Sequence, residues 1–541
     1  MQVAAADFET AVQAVRNMKV GWNLGNTLDA NNGSRMTDVT QSETYWGQPV
    51  TRPELMQMLS EAGFGAMRIP VTWFPHMNEQ GIVDPAWMER VHEVVDYVIN
   101  AGMYCILNIH HDTGADSDGH KTWLKADEKV YNQVKDRYES LWKQIAEEFR
   151  DYDQRLLFES YNEMLDSYNS WCFASFSAPN SYNATVATSA YNAINSYAQS
   201  FVNIVRSTGG NNAQRNLVVN TYGACCGAGT WNSHLKDPLK QMKLPADDVS
   251  GHLIFQVHTY PNISNDYKSE INDMISALKT NLVSKGAPVI FGEWGSSAGE
   301  DYYNKNATLM AFANYFVTQA KANDMGTFLW MGLTDGSARA LPYFSQPDLA
   351  RTILQAYYGI DYSPKLPTKD DFDITYTVNY SGQWQELNLC DTEISLANYK
   401  AISVELDEVP KSGYLSVKVY GENNKTQNTP IADKNFTVTF NRSSVGSKAS
   451  RVTLQYNKTN NYSVTVNRVC LIRTDGTEQE MNVSPFWGCT IVAHATPKTT
   501  DIAVPVVHEA SSSALYNFSG QRVVNPRPGV YIRGGQKLVV R

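Results

Sequence analysis

Short apolar runs alternate with longer amphipathic stretches along the first 360 residues of the chain. Eight runs, at 20–26, 66–71, 104–111, 156–164, 216–223, 253–260, 288–295 and 326–336, have the length and composition of strands. Between them, 52–63, 85–102 and 131–151 carry apolar residues at three- and four-residue spacing, several ending in Ala-Gly or Thr-Gly, a helix C-cap signature. A strand and a helix alternating eight times predict a (β/α)8 barrel, an α/β fold, over residues 1–362. A doubly wound open sheet is the alternative, but no GxGxxG follows the first strand.

The pattern changes at Ser363-Pro364-Lys365-Leu366-Pro367, and 363–371 reads as a linker. From 372 the period falls to two. Residues 372–380, 400–406, 414–420, 436–440, 451–456 and 463–472 alternate apolar and polar between Gly, Asn and Ser, which predicts an all-β sandwich over 372–498. Residues 499–541 form a third segment, with two or three short strands, too few for a core of their own. Its Gly529-Val530-Tyr531-Ile532 and the Lys-Val-Val-like close resemble the C-terminal signal of the type IX secretion route. That resemblance implies a secreted or cell-surface bacterial protein, with the tail as a sorting signal.

Charge narrows the partners. With 55 acidic and 45 basic side chains the net charge is −10, which gives a nucleic acid no electrostatic reason to bind. No apolar run approaches the roughly 20 residues that cross a bilayer. A neutral ligand fits better, and 12 Trp, 30 Tyr and 19 Phe supply flat apolar faces on which sugars stack. The seven cysteines show no CxxC pair or metal-ligand spacing and do not decide the compartment. Residues Met1 to Ala6 lack the features of a signal peptide, so Met1 is read as an added start on a mature form.

Polar and aromatic residues gather where the predicted strands end: Arg68, His110-His111-Asp112, Asn162-Glu163, His258-Thr259-Tyr260, Glu293-Trp294 and Trp330. In a barrel these positions share one face. Together with Gly21-Trp22-Asn23-Leu24-Gly25-Asn26-Thr27-Leu28 at the first strand, they resemble glycoside hydrolase family 5 over residues 15–360, in the branch with endo-β-1,4-glucanases and xyloglucanases. The resemblance implies that Glu163 is the acid/base and Glu293 the nucleophile of a retaining hydrolase. It implies substrate-binding roles for Arg68, His110, Asn162, His258, Tyr260, Trp330 and Asn26, and it calls for no cofactor and no metal. The implied activity is endo-acting hydrolysis of a β-1,4-linked plant cell-wall polysaccharide (β-glucan, xyloglucan or xylan), with a mannan-directed hydrolase of the same fold as the alternative, and a monomer is expected.

The chemistry of two carboxyl groups fits those roles. A retaining mechanism needs them about 5 Å apart, one ionised to attack the anomeric carbon and one protonated to release the leaving oxygen. The charge of Arg68 would favour an ionised Glu293, Tyr260 would donate to it, Asn162 would hold a sugar hydroxyl and Trp330 would form a stacking floor. His111 is expected to point away from His110 in an extended strand. Trp46, Trp73, His76, Trp123, Trp171 and Trp231 are further subsite candidates. Two departures from the family pattern, Met164 after Glu163 and Met331-Gly332-Leu333 after Trp330, bear on which backbone is cut.

Two other classes fit some of these residues. His110, His111, Asp112, His258 and Glu293 offer ligands for a metal-dependent hydrolase. A non-catalytic glycan-binding protein is the second, with Trp384, Tyr380, Tyr414, Tyr456 and Trp487 as a binding face on the sandwich.

Overall fold

A computed structural model of the chain describes residues 8–116, 122–169, 183–227, 236–296 and 307–498, with short strands beyond. Eight parallel strands close into a barrel in chain order: β1 (Val20–Asn23), β2 (Ala66–Ile69), β3 (Tyr104–Asn108), β4 (Leu156–Glu159), β5 (Leu217–Asn220), β6 (Leu253–Thr259), β7 (Val289–Trp294) and β8 (Gly326–Trp330). Helices Pro53–Ala62, Pro85–Asn100 and Glu128–Glu148 occupy the three predicted stretches. The predicted strands run on past the observed ends because their last residues turn into loops at the barrel mouth.

Each strand faces two environments. Residues such as Met67, Leu107, Phe158, Val219, Phe255 and Phe291 point outward into the core shared with the helices. Their neighbours Ala66, Ile106, Leu157, Val218, Ile254, Ile290 and Phe328 fill the barrel's lower interior. Helix Ala11–Met18, capped by Thr10 and Gln13, plugs this end with Ala11, Ala14, Val15 and Met18. The seal is apolar below, so any polar site has to lie above it.

The sandwich is present as two antiparallel sheets. One has the order β14 (Thr426–Pro430), β13 (Leu415–Gly421), β16 (Lys448–Tyr456), β10 (Glu386–Cys390), β19 (Ser484–Trp487), with β11 (Ile394–Ser395) on β16. The other has β15 (Asn435–Thr439), β12 (Tyr399–Leu406), β17 (Tyr462–Arg473), β9 (Phe372–Tyr380), β20 (Thr490–Pro497), with β18 (Glu478–Glu480) on β17. Residues Met1–Thr496 form one compact unit.

The sandwich core extends into the barrel's last loop. Ala338, Leu341 and Tyr343, which follow β8, are buried in it rather than in the barrel core. Residues 363–371 are held from both sides: Phe344 N–H donates to Pro367 O at 2.7 Å, Lys365 pairs with Glu61 at 2.8 Å and Lys369 with Glu480 at 3.1 Å. By itself, residues 497–541 form a second unit. Its described strands β21 (Leu515–Tyr516), β22 (Arg522–Val523), β23 (Gly529–Arg533) and β24 (Gln536–Val540) make a four-stranded antiparallel sheet, one strand more than expected. No described helix is long and apolar enough to cross a membrane.

Because Leu341 belongs to the sandwich core but sits on the barrel's loop, Leu341→Ala should destabilise both parts together. The expected loss is about 2–4 kcal/mol for a buried leucine. Calorimetry should show one transition moving down; two transitions with only one displaced would contradict the shared core.

Candidate active site

Two residues beyond the apolar tier, the barrel interior turns polar. Asn23, Arg68, Asn108, Glu159, Asn220 and Gln256 follow Gly21, Ala66, Ile106, Leu157, Val218 and Ile254 at a spacing of two and are all buried. Arg68 is at the centre. Its Nε donates to Glu159 Oε2 at 2.6 Å, and its Nη2 to Glu159 Oε1 at 2.8 Å and Asn162 Oδ1 at 2.9 Å. Its Nη1 donates to Asn23 Oδ1 at 3.0 Å and Glu293 Oε1 at 2.9 Å. A guanidinium has five N–H groups, and all five are used.

Burial opposes the charge on Arg68, but Glu159 first and Glu293 second outweigh it and hold its pKa above the ordinary arginine value. Glu159 Oε1 also accepts from Asn108 at 3.1 Å and Asn220 at 3.3 Å. One cation thus serves two carboxylates. Glu159 takes the bidentate contact, and Glu293 takes one donor at the mouth.

The aim of Glu293 depends on a bulge. Val257 pairs with Phe291 and His258 with Glu293, so Gly292 is an extra residue in β7. Phe291 packs outward, and strict alternation would send Glu293 the same way. The bulge turns it into the barrel mouth instead. There Glu293 Oε2 accepts from Tyr260 Oη at 2.7 Å. His258 Nδ1 lies 2.8 Å from Glu163 Oε1 and 3.5 Å from Glu293 Oε2. One oxygen of each glutamate and the imidazole nitrogen are all within 4.8 Å of one another.

The two carboxylates differ in exposure, 25% for the Glu163 side chain against 6% for Glu293. His258 Nε2 faces Gln256 Nε2 at 3.3 Å. With that amide as the donor, Nδ1 carries the imidazole hydrogen and points it at Glu163 Oε1, leaving Oε2 as the oxygen able to hold a transferable proton. Gly292 makes room for this arrangement: a Cβ there would stand 2.2–2.5 Å from the Gln256 amide.

An aromatic row lines one wall. Trp330 lies parallel to His110 with centroids 5.7 Å apart, His110 meets His111 edge-on at 4.5 Å, and His111 meets Trp46 at 5.1 Å. His110 is held neutral, its pKa pushed well below the usual histidine range by burial, then by His111, Arg68 and His258. Gly25 lets Trp330 approach the first loop, since a Cβ there would touch its ring at 2.8 Å.

Residues 29–334 match the family model for cellulase, glycosyl hydrolase family 5. The chain belongs to glycoside hydrolase family 5. It is 34% identical over 337 residues to endoglucanase B of Neocallimastix patriciarum, covering 59% of this chain and 64% of that protein. It is 34% identical to endoglucanase A of Clostridium longisporum, covering 61% of each. The chain therefore spans about three-fifths of the length of these curated relatives. Among solved structures, a GH5-4 broad specificity endoglucanase from an uncultured bacterium is 56% identical with a TM-score of 0.63, covering 66% of this chain and 98% of that one. A family 5 enzyme from Prevotella bryantii, solved with a xyloglucan tetradecasaccharide, is 41% identical with a TM-score of 0.58, covering 65% of this chain and all of that one.

Within this family 5 chain, Arg68, His110, Asn162, Glu163, His258, Tyr260, Glu293 and Trp330 lie together at the barrel mouth. Asn26 turns the chain after β1 with φ of +59°, and among the described residues no hydrogen bond joins its side chain to that group. His111 does not point away from His110, because β3 ends at Asn108 and the pleat ends with it. Trp73 is fully buried, donating to Asn108 O at 2.9 Å. His76 stacks on Trp87 at 3.6 Å and is pushed down to about 4 by burial. Both are packing residues rather than subsites. Trp123 is committed to Asp112 at 2.6 Å, and only Trp46 of the described candidates is exposed beside the cleft. Trp171 and Trp231 lie outside the described residues. Glu159, Gln256 and Asn220 escaped notice because they lie inside the strands, although their spacing of two from the apolar tier was visible.

The metal reading has some geometry behind it. Glu163, His258 and Glu293, and separately Asp29, His110 and His111, are spaced closely enough to hold an ion. At the first trio, however, the Arg68 guanidinium already donates to Glu293 and would repel a cation. Asp112 is occupied by the N–H groups of Trp73, Phe74 and Trp123.

Gly292→Ala tests the support beneath His258. The added Cβ should displace Gln256, costing about 1–3 kcal/mol of stability as overpacking. It should also lower kcat more than KM changes, because the imidazole loses its backing. An unaltered kcat would show that Gln256 does not position His258.

Proposed function

We propose that the barrel hydrolyses β-1,4-glucan chains internally, xyloglucan included, with retention of configuration. The observation that carries this reading is the spacing of Glu163 and Glu293. An oxygen of one within 4.8 Å of an oxygen of the other suits direct attack by a carboxylate, for which about 5–5.5 Å separates the groups. Inverting hydrolases need about 6.5–9.5 Å to admit a water.

In the first step Glu293, fixed by Arg68 on one oxygen and Tyr260 on the other, attacks the anomeric carbon. Glu163 gives its proton to the departing glycosidic oxygen. Esterification removes the charge on Glu293, and Glu163, the more exposed of the two, then takes a proton from the water that releases the sugar. His258 stays in contact with both carboxylates, 2.8 Å from Glu163 and 3.5 Å from Glu293. Asn162 is held by Arg68 through its oxygen and lies 3.4 Å from His110 Nε2 with its Nδ2, whose second hydrogen is left to meet a sugar hydroxyl. Trp330 and Trp46 at the two ends of the aromatic row serve as stacking platforms.

The glucan backbone is favoured by the relatives, named as endoglucanases and, for one structure, holding xyloglucan. Release from the cell fits such a polymeric substrate, and the C-terminal unit would act as the type IX sorting signal.

Glu293→Gln should remove at least about 10³-fold of turnover while leaving the melting temperature and glycan binding in place. Early products followed by NMR should be β-anomers; an α first product means inversion and ends the double-displacement reading. Prolonged chelation should leave activity unchanged, and loss restored by a single divalent ion would instead favour the metal reading of the same trio.

A further inference from the structure

The outer surface of the sheet β14-β13-β16-β10-β19 carries a second polar cluster, remote in sequence from the barrel. In β10 the inward residues are Leu387 and Leu389, which turns Glu386 and Asn388 outward. Inward Val417 and Val419 likewise leave Lys418 and Tyr420 outside, and inward Val452 and Leu454 leave Thr453 and Gln455 outside. Glu386 is nevertheless only 3% exposed, because these neighbours close over it. Its carboxylate accepts from Tyr420 at 2.6 Å, Thr453 at 2.7 Å, Gln455 at 2.7 Å and Lys418 at 3.1 Å. Burial disfavours its charge, but Tyr420, Thr453 and Lys418 outweigh that and hold its carboxyl below the usual value.

Beside this rigid platform stand two exposed rings, Phe486 at 43% and Trp487 at 60%. They come together because β19 shifts register here: Trp487 pairs with Glu386 and Pro485 with Leu387, making Phe486 the extra residue. Arg451 lies 3.7 Å over the Phe486 ring and Tyr420 meets its edge at 6.4 Å, so the ring is fixed on the sheet. Between the rings and the far strands, Asn388 donates to Ser484 at 3.2 Å, but its buried Oδ1 has no partner. Such an acceptor costs free energy unless something from outside meets it.

We propose that this face is a glycan-binding site, taking a neutral β-1,4-glucan chain along the sheet. Glu386 is saturated and acts as the organiser, with Gln455 committed to it; Trp487 and Phe486 offer flat faces to sugar rings, and Asn388 and Lys418 meet hydroxyls. Charge agrees with a neutral ligand: Glu386 cancels Lys418, and Arg451 is spent on Phe486 rather than massed with other cations. The face itself does not depend on the barrel's activity, but the choice of glucan over another neutral polymer rests on it. The aromatic set expected from sequence is corrected here. Tyr380 and Tyr456 are buried and stacked at 5.1 Å, with Tyr414 and Tyr462 against them, and of the five only Trp384 and Trp487 are exposed.

The test uses the full chain carrying Glu293→Gln, run in native gels containing xyloglucan, mixed-linkage β-glucan or polygalacturonate. Adding Phe486→Ala and Trp487→Ala should weaken retardation by the neutral glucans about tenfold, as for loss of two stacking contacts. Both rings are exposed, so the fold should survive; Asn388→Ala gives a second variant with the same expected direction. Retardation that ignores all three residues, or that occurs only with polygalacturonate, overturns the site. In the otherwise native chain, the ring substitutions should leave cleavage of cellotetraose unchanged, and a fall would place the rings in the barrel's reaction instead. A chain that cleaves glucan without ring-dependent retardation refutes this site alone; ring-dependent retardation without cleavage refutes the barrel's proposed activity alone.

Discussion

Arg68 is the group on which the site's geometry depends. A guanidinium sealed inside a barrel is tolerable only if its charge is matched and its five N–H groups are occupied, because an unpaired buried ion costs several kcal/mol. Glu159 supplies the matching charge from β4. Asn23 from β1, Asn162 from the loop after β4 and Glu293 from β7 supply the remaining acceptors. Three strands and a loop are thereby tied to one rigid plane. The position of Glu293 is thus a consequence of satisfying Arg68, and it is fixed before any ligand arrives. Glu159 matters here as much as the arginine. Without it, the buried guanidinium would be left with Glu293 as its one carboxylate, and the bidentate contact that orients its plane would be lost.

The bulge at Gly292 resolves a conflict between period and function. A strand of period two cannot place Phe291 in the outer core and Glu293 in the mouth, since both lie on one side. One extra residue removes the conflict, and only glycine leaves space for the Gln256 amide below. The same residue therefore turns the carboxylate and permits the support of His258. That is why the short sequence Phe291-Gly292-Glu293-Trp294 carries so much: an outer-core residue, a spacer, a mouth residue and an outer-core residue again.

Much of this was legible in the chain. The alternation of short apolar runs with amphipathic stretches marks the barrel, and polar groups at the run ends mark its mouth. The polar tier is less legible because its members lie inside the strands. Glu159 and Gln256 sit within apolar runs and look like interruptions, yet each is two residues beyond an aliphatic one, as Arg68, Asn108 and Asn220 are, and as Asn23 is beyond Gly21. Read around eight strands rather than along each, they form a tier. Trp73 and His76 misled for the opposite reason: they lie after a strand end, but an indole or imidazole can fold back into the core when a carbonyl or hydroxyl is there to receive its nitrogen. Tyr380 and Tyr456 share parity with Val378 and Leu454, so their burial was readable from the alternation. The sharing of the sandwich core with Ala338, Leu341 and Tyr343 was not, because nothing local announces a contact across more than thirty residues of chain.

That shared core gives the sandwich a bearing on the cleft whatever it binds. The loop after β8 begins with Trp330 and turns sharply through Met331 and Gly332, both at positive φ. It is tied to the first loop where Trp22 donates to Met331 O and Arg339 donates to Gly25 O. Its far part ends in apolar side chains that the barrel does not bury. A loop of this kind, left with Leu341 and Tyr343 in water, would lose its restraint at one end, while at the other end Trp330 packs against Gly25 and His110. In this chain the work is divided: the polar tier sets Glu293, and the sandwich anchors the far part of the loop that follows Trp330. Exchange of the sandwich should therefore act on ring stacking and leave the spacing of Glu163 and Glu293 alone, since no part of the Arg68 network passes through it.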